Sequence, residues 1–261
     1  MRVITIGDVY GDTGCEAIRK NLSRLKKEYR ADMVIVNGEN SFTDGRGITP
    51  DTADILFAAG ADVITGGNHT LRRREVHTLL DDNAFLLRPH NLESDYGGGY
   101  CFVDMGKTSA AVINLQGQVF IENPKASNPF VAADKLVDRA VSDGAKNIFV
   151  DFHAEATSEK RALGFYLDGK VSAVFGTHTH VLCADAQILP GGTGYITDIG
   201  MTGAKQSILG VKKEIIISRF LSGDTSKFES ETGNPVIMGC VFETDDANGL
   251  CVSTEIINLD V

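Results

Sequence analysis

The sequence contains no apolar run that approaches the roughly 20 residues needed for a membrane-spanning helix. Its five cysteines are odd in number, widely spaced and without a Cys-x-x-Cys pair, which is typical of a reducing compartment rather than a disulfide framework. The short apolar stretch after Met1 is broken by Asp8, so it predicts a strand and not a signal peptide. We therefore expect a cytoplasmic protein that has no membrane partner.

The chain has fewer basic than acidic residues, with 25 Lys and Arg compared with 35 Asp and Glu, and its formal net charge is -10. A surface of this charge repels polyanions, so long nucleic acids are not expected as partners. A small anionic substrate remains compatible with this charge if one local site is positive. The 261 residues suffice to bury a core without help from disulfides or a structural metal.

Apolar runs alternate with helical patterns in the first half of the chain. They predict strands at 3–6, 33–36 and 63–65, and helices at 12–29, 50–59 and near 71–82. This order implies parallel strands joined by right-handed crossovers. The remaining patterns predict strands at 100–103, 110–113, 148–152 and 171–175, helices at about 129–142 and 157–166, and strands near 185–189, 213–219, 235–243 and 250–257. We expect one mixed α/β domain with two sheets over residues 1–261.

Carboxylate, carboxamide or imidazole groups follow five of the predicted strands. They are Asp8 after the first strand, Glu39 and Asn40 after the second, Asn68 and His69 after the third, His153 after 148–152, and His178 and His180 after 171–175. Ligands of open α/β sheets bind beyond the carboxyl ends of the strands, so parallel neighbours would bring these side chains into one crevice. His178 and His180 are separated by one residue, and on a strand they would share a face.

The chemistry of this set favours a metal centre. Imidazoles combined with carboxylate and carboxamide oxygens suit Mn, Fe or Zn better than Ca or a thiolate-preferring metal. The set is too large for one tetrahedral ion and fits two ions bridged by a carboxylate, an arrangement that serves in-line displacement at phosphorus.

The order of these motifs resembles the calcineurin-like metallophosphoesterases and, among them, the YmdB-like phosphodiesterases, whose members hydrolyse 2′,3′-cyclic nucleotides. The resemblance covers nearly the whole chain and is carried by Gly-Asp-Val-Tyr-Gly at 7–11, Asn-Gly-Glu-Asn at 37–40, Gly-Asn-His at 67–69, His-Ala-Glu-Ala-Thr-Ser-Glu-Lys at 153–160 and Gly-Thr-His-Thr-His at 176–180. Tyr10 replaces the usual His and Glu39 the usual bridging Asp, and both changes match the YmdB-like pattern. The resemblance implies a two-sheet αββα sandwich and a homo-oligomer.

The resemblance also implies roles for the individual residues. One divalent ion would be held by Asp8, Glu39, Asn40 and His180, and the other by Glu39, Asn68, His153 and His178. Fe or Mn is favoured, with Zn or Mg as alternatives. A hydroxide between the ions would attack a small phosphodiester in line, and His69 would act as general acid on the leaving ribose oxygen.

Three other functions stay open from the sequence. A phosphomonoesterase or nucleotidase would use the same site. A metal-dependent amidohydrolase places His-x-His on its first barrel strand, whereas here the pair comes late and the first strand leads to Asp8. A regulatory protein would bind metal or nucleotide through these groups and act through a partner.

Four further predictions concern residues near these motifs. In segment 41–48, Arg46 could contact a phosphate and Phe42 could stack on a base, although an ordinary solvated loop is the alternative. Glu155 and Ser158 are candidates to support His153 from behind. His77 and His90 fit no motif, and we expect structural roles for both.

Overall fold

The computed structural model describes residues 1–261 as two β-sheets packed face to face, with helices on both outer surfaces. The strands are β1 (Arg2–Ile6), β2 (Asp8–Val9), β3 (Met33–Asn37), β4 (Val63–Thr65), β5 (Tyr100–Asp104), β6 (Ser109–Gln116), β7 (Asn147–His153), β8 (Ala173–Thr177), β9 (Gln187–Ile188), β10 (Gly194–Ile196), β11 (Met201–Ala204), β12 (Pro235–Thr244) and β13 (Cys251–Asp260). The helices are α1 (Gly11–Glu28), α2 (Pro50–Ala59), α3 (Val76–Asp82), α4 (Pro129–Ser142), α5 (Thr157–Tyr166) and α6 (Lys213–Ser222). None of these helices has the length and apolar character to cross a membrane.

Each sheet contains a run of parallel strands, as the alternation of strands and helices predicted. The first sheet has the order β2-β11-β12-β1-β3-β4, with β13 paired to β12, and β1, β3 and β4 run parallel. The second sheet has the order β5-β6-β7-β8-β10-β9, and β6, β7, β8 and β10 run parallel. The strands that lead to the polar groups therefore belong to two different sheets.

Alternate residues of the central strands face different layers, as the two-residue period of a strand requires. In β3, Val34 and Val36 join the apolar cluster that contains Leu22 of α1. Ile35, between them, joins the cluster that contains Phe149 of β7 and fills the space between the sheets. Helices α4 and α5 cover the outer face of the second sheet. The layers are helix, sheet, sheet and helix, so the predicted αββα sandwich is confirmed.

The strand predicted at 213–219 is wrong, because these residues form helix α6. Three consecutive isoleucines, Ile215–Ile217, favour a strand by propensity. In the folded chain Ile216 packs against the cluster of Tyr10, Met201 and Val211, and Gly223 ends the helix with a φ of 71°. Tertiary packing on one side of the segment thus overrides the local preference.

Several bounds also differ from those predicted. The helix near 71–82 is divided into a 3-10 turn at Thr70–Arg72 and helix α3, and the strand at 171–175 begins two residues later as β8. The strand near 185–189 is reduced to β9, and the short strands β2, β10 and β11 were not predicted. Strands this short contain too few residues for a period to be recognised.

Candidate metal centre

The polar groups that follow the parallel strands meet between the two sheets. The first sheet contributes the residues after β1, β3 and β4, and the second contributes those at the ends of β7 and β8. The sequence predicted neighbouring strands of one crevice, whereas the structure brings together the carboxyl ends of two facing sheets. All of the predicted ligands are drawn together by this arrangement.

Four predicted ligands, Glu39, Asn68, His153 and His178, form one compact group. The Nε2 atom of His153 lies 3.2 Å from Oε1 of Glu39, 2.9 Å from Oδ1 of Asn68 and 3.0 Å from Nδ1 of His178. Ligand atoms of Glu39, His153 and His178 lie within 4.8 Å of one another, a spacing that can hold a metal ion. Position 67 must be glycine, because a Cβ there would lie 2.3 Å from both Glu39 and His153.

The other predicted ligands, Asp8, Asn40 and His180, also lie against Glu39. Nδ2 of Asn40 is 3.1 Å from Oε1 of Glu39 and 3.1 Å from Nε2 of His180. Oδ1 of Asp8 is 3.6 Å from Nε2 of His180 and is buried without a hydrogen-bond partner. A buried acceptor without a donor is costly, and a cation beside Asp8 would satisfy it. The residues present therefore fit a metal ion at this position.

Burial disfavours the charged forms of the site residues, and their neighbours of opposite charge offset this cost. Burial alone would raise the pKa of Glu39, but the charge of His153 and hydrogen bonds from His153 and His69 hold that pKa well below its ordinary value. Burial also opposes ionisation of Asp8, but the neighbouring His180 lowers its pKa. Burial would lower the pKa of His153, yet the charge of Glu39 raises it to about 9. Two buried carboxylates are thus balanced by imidazolium, and divalent cations could replace that positive charge.

A buried hydrogen-bonded chain orients His153 from behind. Its Nδ1 atom is 2.9 Å from Oγ1 of Thr177, whose hydroxyl donates to Oδ1 of Asp151 at 2.7 Å. Asp151 also accepts from the Asn37 amide and the Thr65 hydroxyl, so the chain joins the two sheets. Because the Thr177 hydroxyl donates to Asp151, it accepts from Nδ1–H of His153 and leaves Nε2 to face the ligand group.

This support differs from the one predicted. Glu155 makes no hydrogen bond or ion pair with His153; its Oε2 atom lies 3.2 Å from Nε2 of His178. Ser158 is exposed in the first turn of α5. The sequence did contain a signal for Asp151, because Asp151 and His153 are two residues apart on one strand and therefore share a face.

His178 and His180 lie beyond the end of β8, so they do not share a strand face. Both have left-handed backbones, with φ values of 101° and 62°, which residues other than glycine adopt only when their surroundings enforce them. The His178 N–H donates to Oδ2 of Asp8 at 3.2 Å, and Nδ1 of His180 is 3.1 Å from the carbonyl oxygen of Leu209. The turn places His178 beside His153 and His180 beside Asp8.

A buried ion pair holds this turn in place. Nζ of Lys160 lies 2.6 Å from Oδ2 of Asp198 and donates to the carbonyl oxygen of Thr177 at 2.9 Å. The same carboxylate oxygen accepts the backbone N–H of Thr179 at 3.1 Å. Lys160 and Asp198 therefore hold the backbone on both sides of His178.

We expect Lys160→Met to lower the free energy of unfolding by about 3–5 kcal/mol, because it leaves the Asp198 carboxylate buried and unpaired. Lys170→Met is the matched control, since Lys170 pairs with Asp134 at 3.7 Å on the surface and such pairs contribute at most about 1 kcal/mol. Urea unfolding of the metal-free proteins measures both values. Equal losses in the two variants would contradict a special role for the buried pair.

His69 lines a cavity of about 290 Å³ beside both ligand groups. Its backbone N–H donates to Oε2 of Glu39 at 2.9 Å, and its Nδ1 atom is 2.8 Å from Oδ1 of Asn40. Nε2 has no hydrogen-bond partner in the protein, and the side chain is 29% exposed. His69 is thus held through one ring nitrogen while the other remains available.

The other predicted residues lie in different places. Arg46 lines the same cavity as His69, whereas Phe42 lines a neighbouring cleft and the Arg73 guanidinium covers its ring at 3.9 Å. His77 stacks on Tyr96, and neither His77 nor His90 lines the cavity.

The fold and the site together define the class of protein. A two-sheet αββα sandwich with carboxylates, carboxamides and imidazoles at the carboxyl ends of its strands is the architecture of the calcineurin-like metallophosphoesterases. The chain belongs to the YmdB-like protein family, which matches residues 4–257. It is accordingly a hydrolase of phosphoric ester bonds.

Individual relatives cover almost the entire chain. It is 44% identical over 256 residues to the 2′,3′-cyclic-nucleotide 2′-phosphodiesterase of Bacillus subtilis. The aligned region covers 98% of this chain and 96% of that protein. A crystal structure described as a novel phosphatase from Mycoplasma pneumoniae superposes with a TM-score of 0.92 at 36% identity, over 100% of this chain and 93% of that one. A hypothetical protein from Thermus thermophilus gives a TM-score of 0.91 at 36% identity, over 100% of this chain and 99% of that one.

Proposed function

We propose that the protein hydrolyses 2′,3′-cyclic nucleotides at a site for two divalent metal ions. The observation that carries the proposal is the sharing of Oε1 of Glu39, which lies 3.2 Å from Nε2 of His153 and 3.1 Å from Nδ2 of Asn40. The name of the Bacillus subtilis relative supports the substrate class. Because both sheets contribute to the site, we propose that residues 1–261 form a single metallophosphoesterase domain.

Each ion would have its own group of ligands, with Glu39 common to both. Asn68 already presents Oδ1 to its group. Asn40 presents Nδ2, so a half-turn of its amide is needed to bring Oδ1 towards Glu39 and His180. We favour Fe or Mn, with Zn or Mg as alternatives, because the ligands mix imidazole with oxygen. When bound, such ions activate water and neutralise charge on phosphoryl oxygens.

The chain itself supplies negative charge and a proton donor. Asp8 and Glu39 together contribute two negative charges, so two divalent ions leave a positive site in a protein whose net charge is -10. This local excess would attract an anionic phosphodiester. We assign to His69 the protonation of the leaving ribose oxygen, since its Nε2 is free and its ring lines the cavity.

Metal analysis combined with a substrate panel tests the proposal. Protein loaded with Mn or Fe is offered 2′,3′-cyclic AMP, 3′,5′-cyclic AMP, 3′-AMP and 5′-AMP. We expect two ions per chain and accumulation of 3′-AMP from the 2′,3′-cyclic ester, because the relative is named for the 2′ bond. Fewer than two ions per chain in active protein would refute the two-metal site.

A phosphomonoesterase is the second candidate, and the Mycoplasma pneumoniae phosphatase at 36% identity is the observation that favours it. Faster release of phosphate from AMP than opening of the cyclic ester would select this candidate. Metal-replete protein without turnover on any of the four compounds would favour a regulatory role. The homo-oligomeric state and cytoplasmic location stay predictions from the sequence.

A further inference from the structure

The cavity beside the ligand groups has a second wall that the proposed chemistry does not use. This wall is formed by Tyr10, Arg46, Leu209, Val211 and Phe228. It is mainly apolar and aromatic, and the guanidinium of Arg46 is its one cationic group. A phosphate and two metal ions require no such surface, so the wall suits another part of the substrate.

The guanidinium of Arg46 is half buried and makes no hydrogen bond or ion pair with the protein. The backbone of Arg46 is firmly held, because its N–H donates to Oδ1 of Asp44 at 3.1 Å and its carbonyl accepts from Nε of Arg73 at 3.1 Å. Arg73 also donates to the other oxygen of Asp44 at 2.6 Å, so that carboxylate is already engaged. The Arg46 side chain is therefore positioned in the cavity with all of its donors available.

Phe228 lies between α6 and β12 and packs against Tyr10 and Val211. The guanidinium carbons of Arg219 and Arg46 are 4.1 Å and 5.2 Å from the centre of its ring, both within the range of a cation–π contact. Phe228 also lines the neighbouring cleft of about 790 Å³, so the ring stands where the cavity and the cleft meet. The cavity alone is small for a nucleotide, and a ligand that passes Phe228 gains the additional room.

We propose that Phe228 and Arg46 form a binding subsite for the nucleobase of the substrate. The inference rests on the proposed function: with the cyclic phosphate at the ligand groups, the base on the same ribose must lie within reach of the second wall. A planar base stacks on an aromatic ring or a guanidinium plane whatever its identity. The Arg46 guanidinium, backed by Phe228, is the plane available to the base, because Arg219 already covers the ring of Phe228 at 4.1 Å and Arg73 covers that of Phe42 at 3.9 Å.

The test compares a nucleotide with the same ester lacking a base. Phe228→Leu, which retains apolar packing, and Arg46→Met are assayed on 2′,3′-cyclic AMP and on methyl riboside 2,3-cyclic phosphate. In each variant the ratio of kcat/KM for the nucleotide to kcat/KM for the base-free ester should fall about tenfold, the effect of losing one stacking contact. Phe220→Leu is the matched control, since Phe220 is 86% exposed on α6 and lines neither space.

Proportional losses on both esters, or an unchanged ratio in both variants, would overturn the subsite. Failure of the proposed function gives a different result, because the wild-type protein would then hydrolyse neither ester. In that case calorimetry on metal-loaded protein compares the binding of 3′-AMP with that of methyl riboside 3-phosphate. A preference for 3′-AMP that disappears in Phe228→Leu supports the subsite, and equal affinities refute it.

Discussion

Replacing Glu39 by Gln should lower kcat/KM on 2′,3′-cyclic AMP by at least about 10³-fold and reduce the metal content below two ions per chain. Gln retains the size of the side chain but removes one of the two buried carboxylate charges. The lost charge matters for both ligand groups, because Oε1 of Glu39 lies 3.2 Å from His153 and 3.1 Å from Asn40. Elemental analysis and steady-state kinetics of the same preparation measure the two effects.

Glu155→Gln is the matched control for this substitution. Glu155 lines the same cavity, but it contacts only the far side of His178, at 3.2 Å from Nε2. Loss of such a supporting carboxylate is expected to lower activity by roughly 10–100-fold while both ions are retained. A Glu39→Gln protein with two ions per chain and near-normal turnover would contradict the shared position of Glu39.

Replacing His69 by Ala should lower kcat on 2′,3′-cyclic AMP by roughly 10²–10⁴-fold and leave both metal ions bound. The physical reason is the loss of a proton donor for a ribose alkoxide, which is a poor leaving group. The p-nitrophenolate group leaves without protonation, so kcat on bis(p-nitrophenyl) phosphate should fall much less. Parallel assays on the two substrates, with metal analysis, distinguish protonation from ligation.

His77→Ala is the control for this prediction, since His77 stacks on Tyr96 and does not line the cavity. We expect near-normal kinetics from that variant. Equal losses on both substrates in His69→Ala would show that His69 stabilises charge rather than donating a proton. Loss of a metal ion in His69→Ala would instead make it a ligand.

Most helices of the fold could be predicted because they are long and periodic. The bounds of α2, α4 and α5 agree with the predicted helices at 50–59, 129–142 and 157–166. The C-terminal third was harder to predict, because strands β10 and β11 are only 3 and 4 residues long. The isoleucines of α6 favour a strand locally, and only the position of Ile216 against Tyr10 shows why the segment is helical.

The residues of the candidate site were predictable because each follows an apolar run, and the structure brings all of them together. Their supporting contacts were not predictable in the same way. Lys160 and Asp198 are 38 residues apart in sequence, and nothing in either local pattern indicates that they pair. Arg46 and Phe228 likewise meet only through loops of irregular structure.

The sequence by itself determined a mixed α/β domain, its parallel strands and the chemical groups at their ends, because hydrophobic periodicity is a local property, whereas the order of the layers was implied only by the family resemblance. Only the tertiary structure decided that these ends come from two facing sheets, with Oε1 of Glu39 lying 3.2 Å from Nε2 of His153 and 3.1 Å from Nδ2 of Asn40. It also decided that His178 and His180 diverge through left-handed turns held by Asp8 and a buried ion pair. Such conformations are enforced by contacts distant in sequence, so no local pattern of residues contains them.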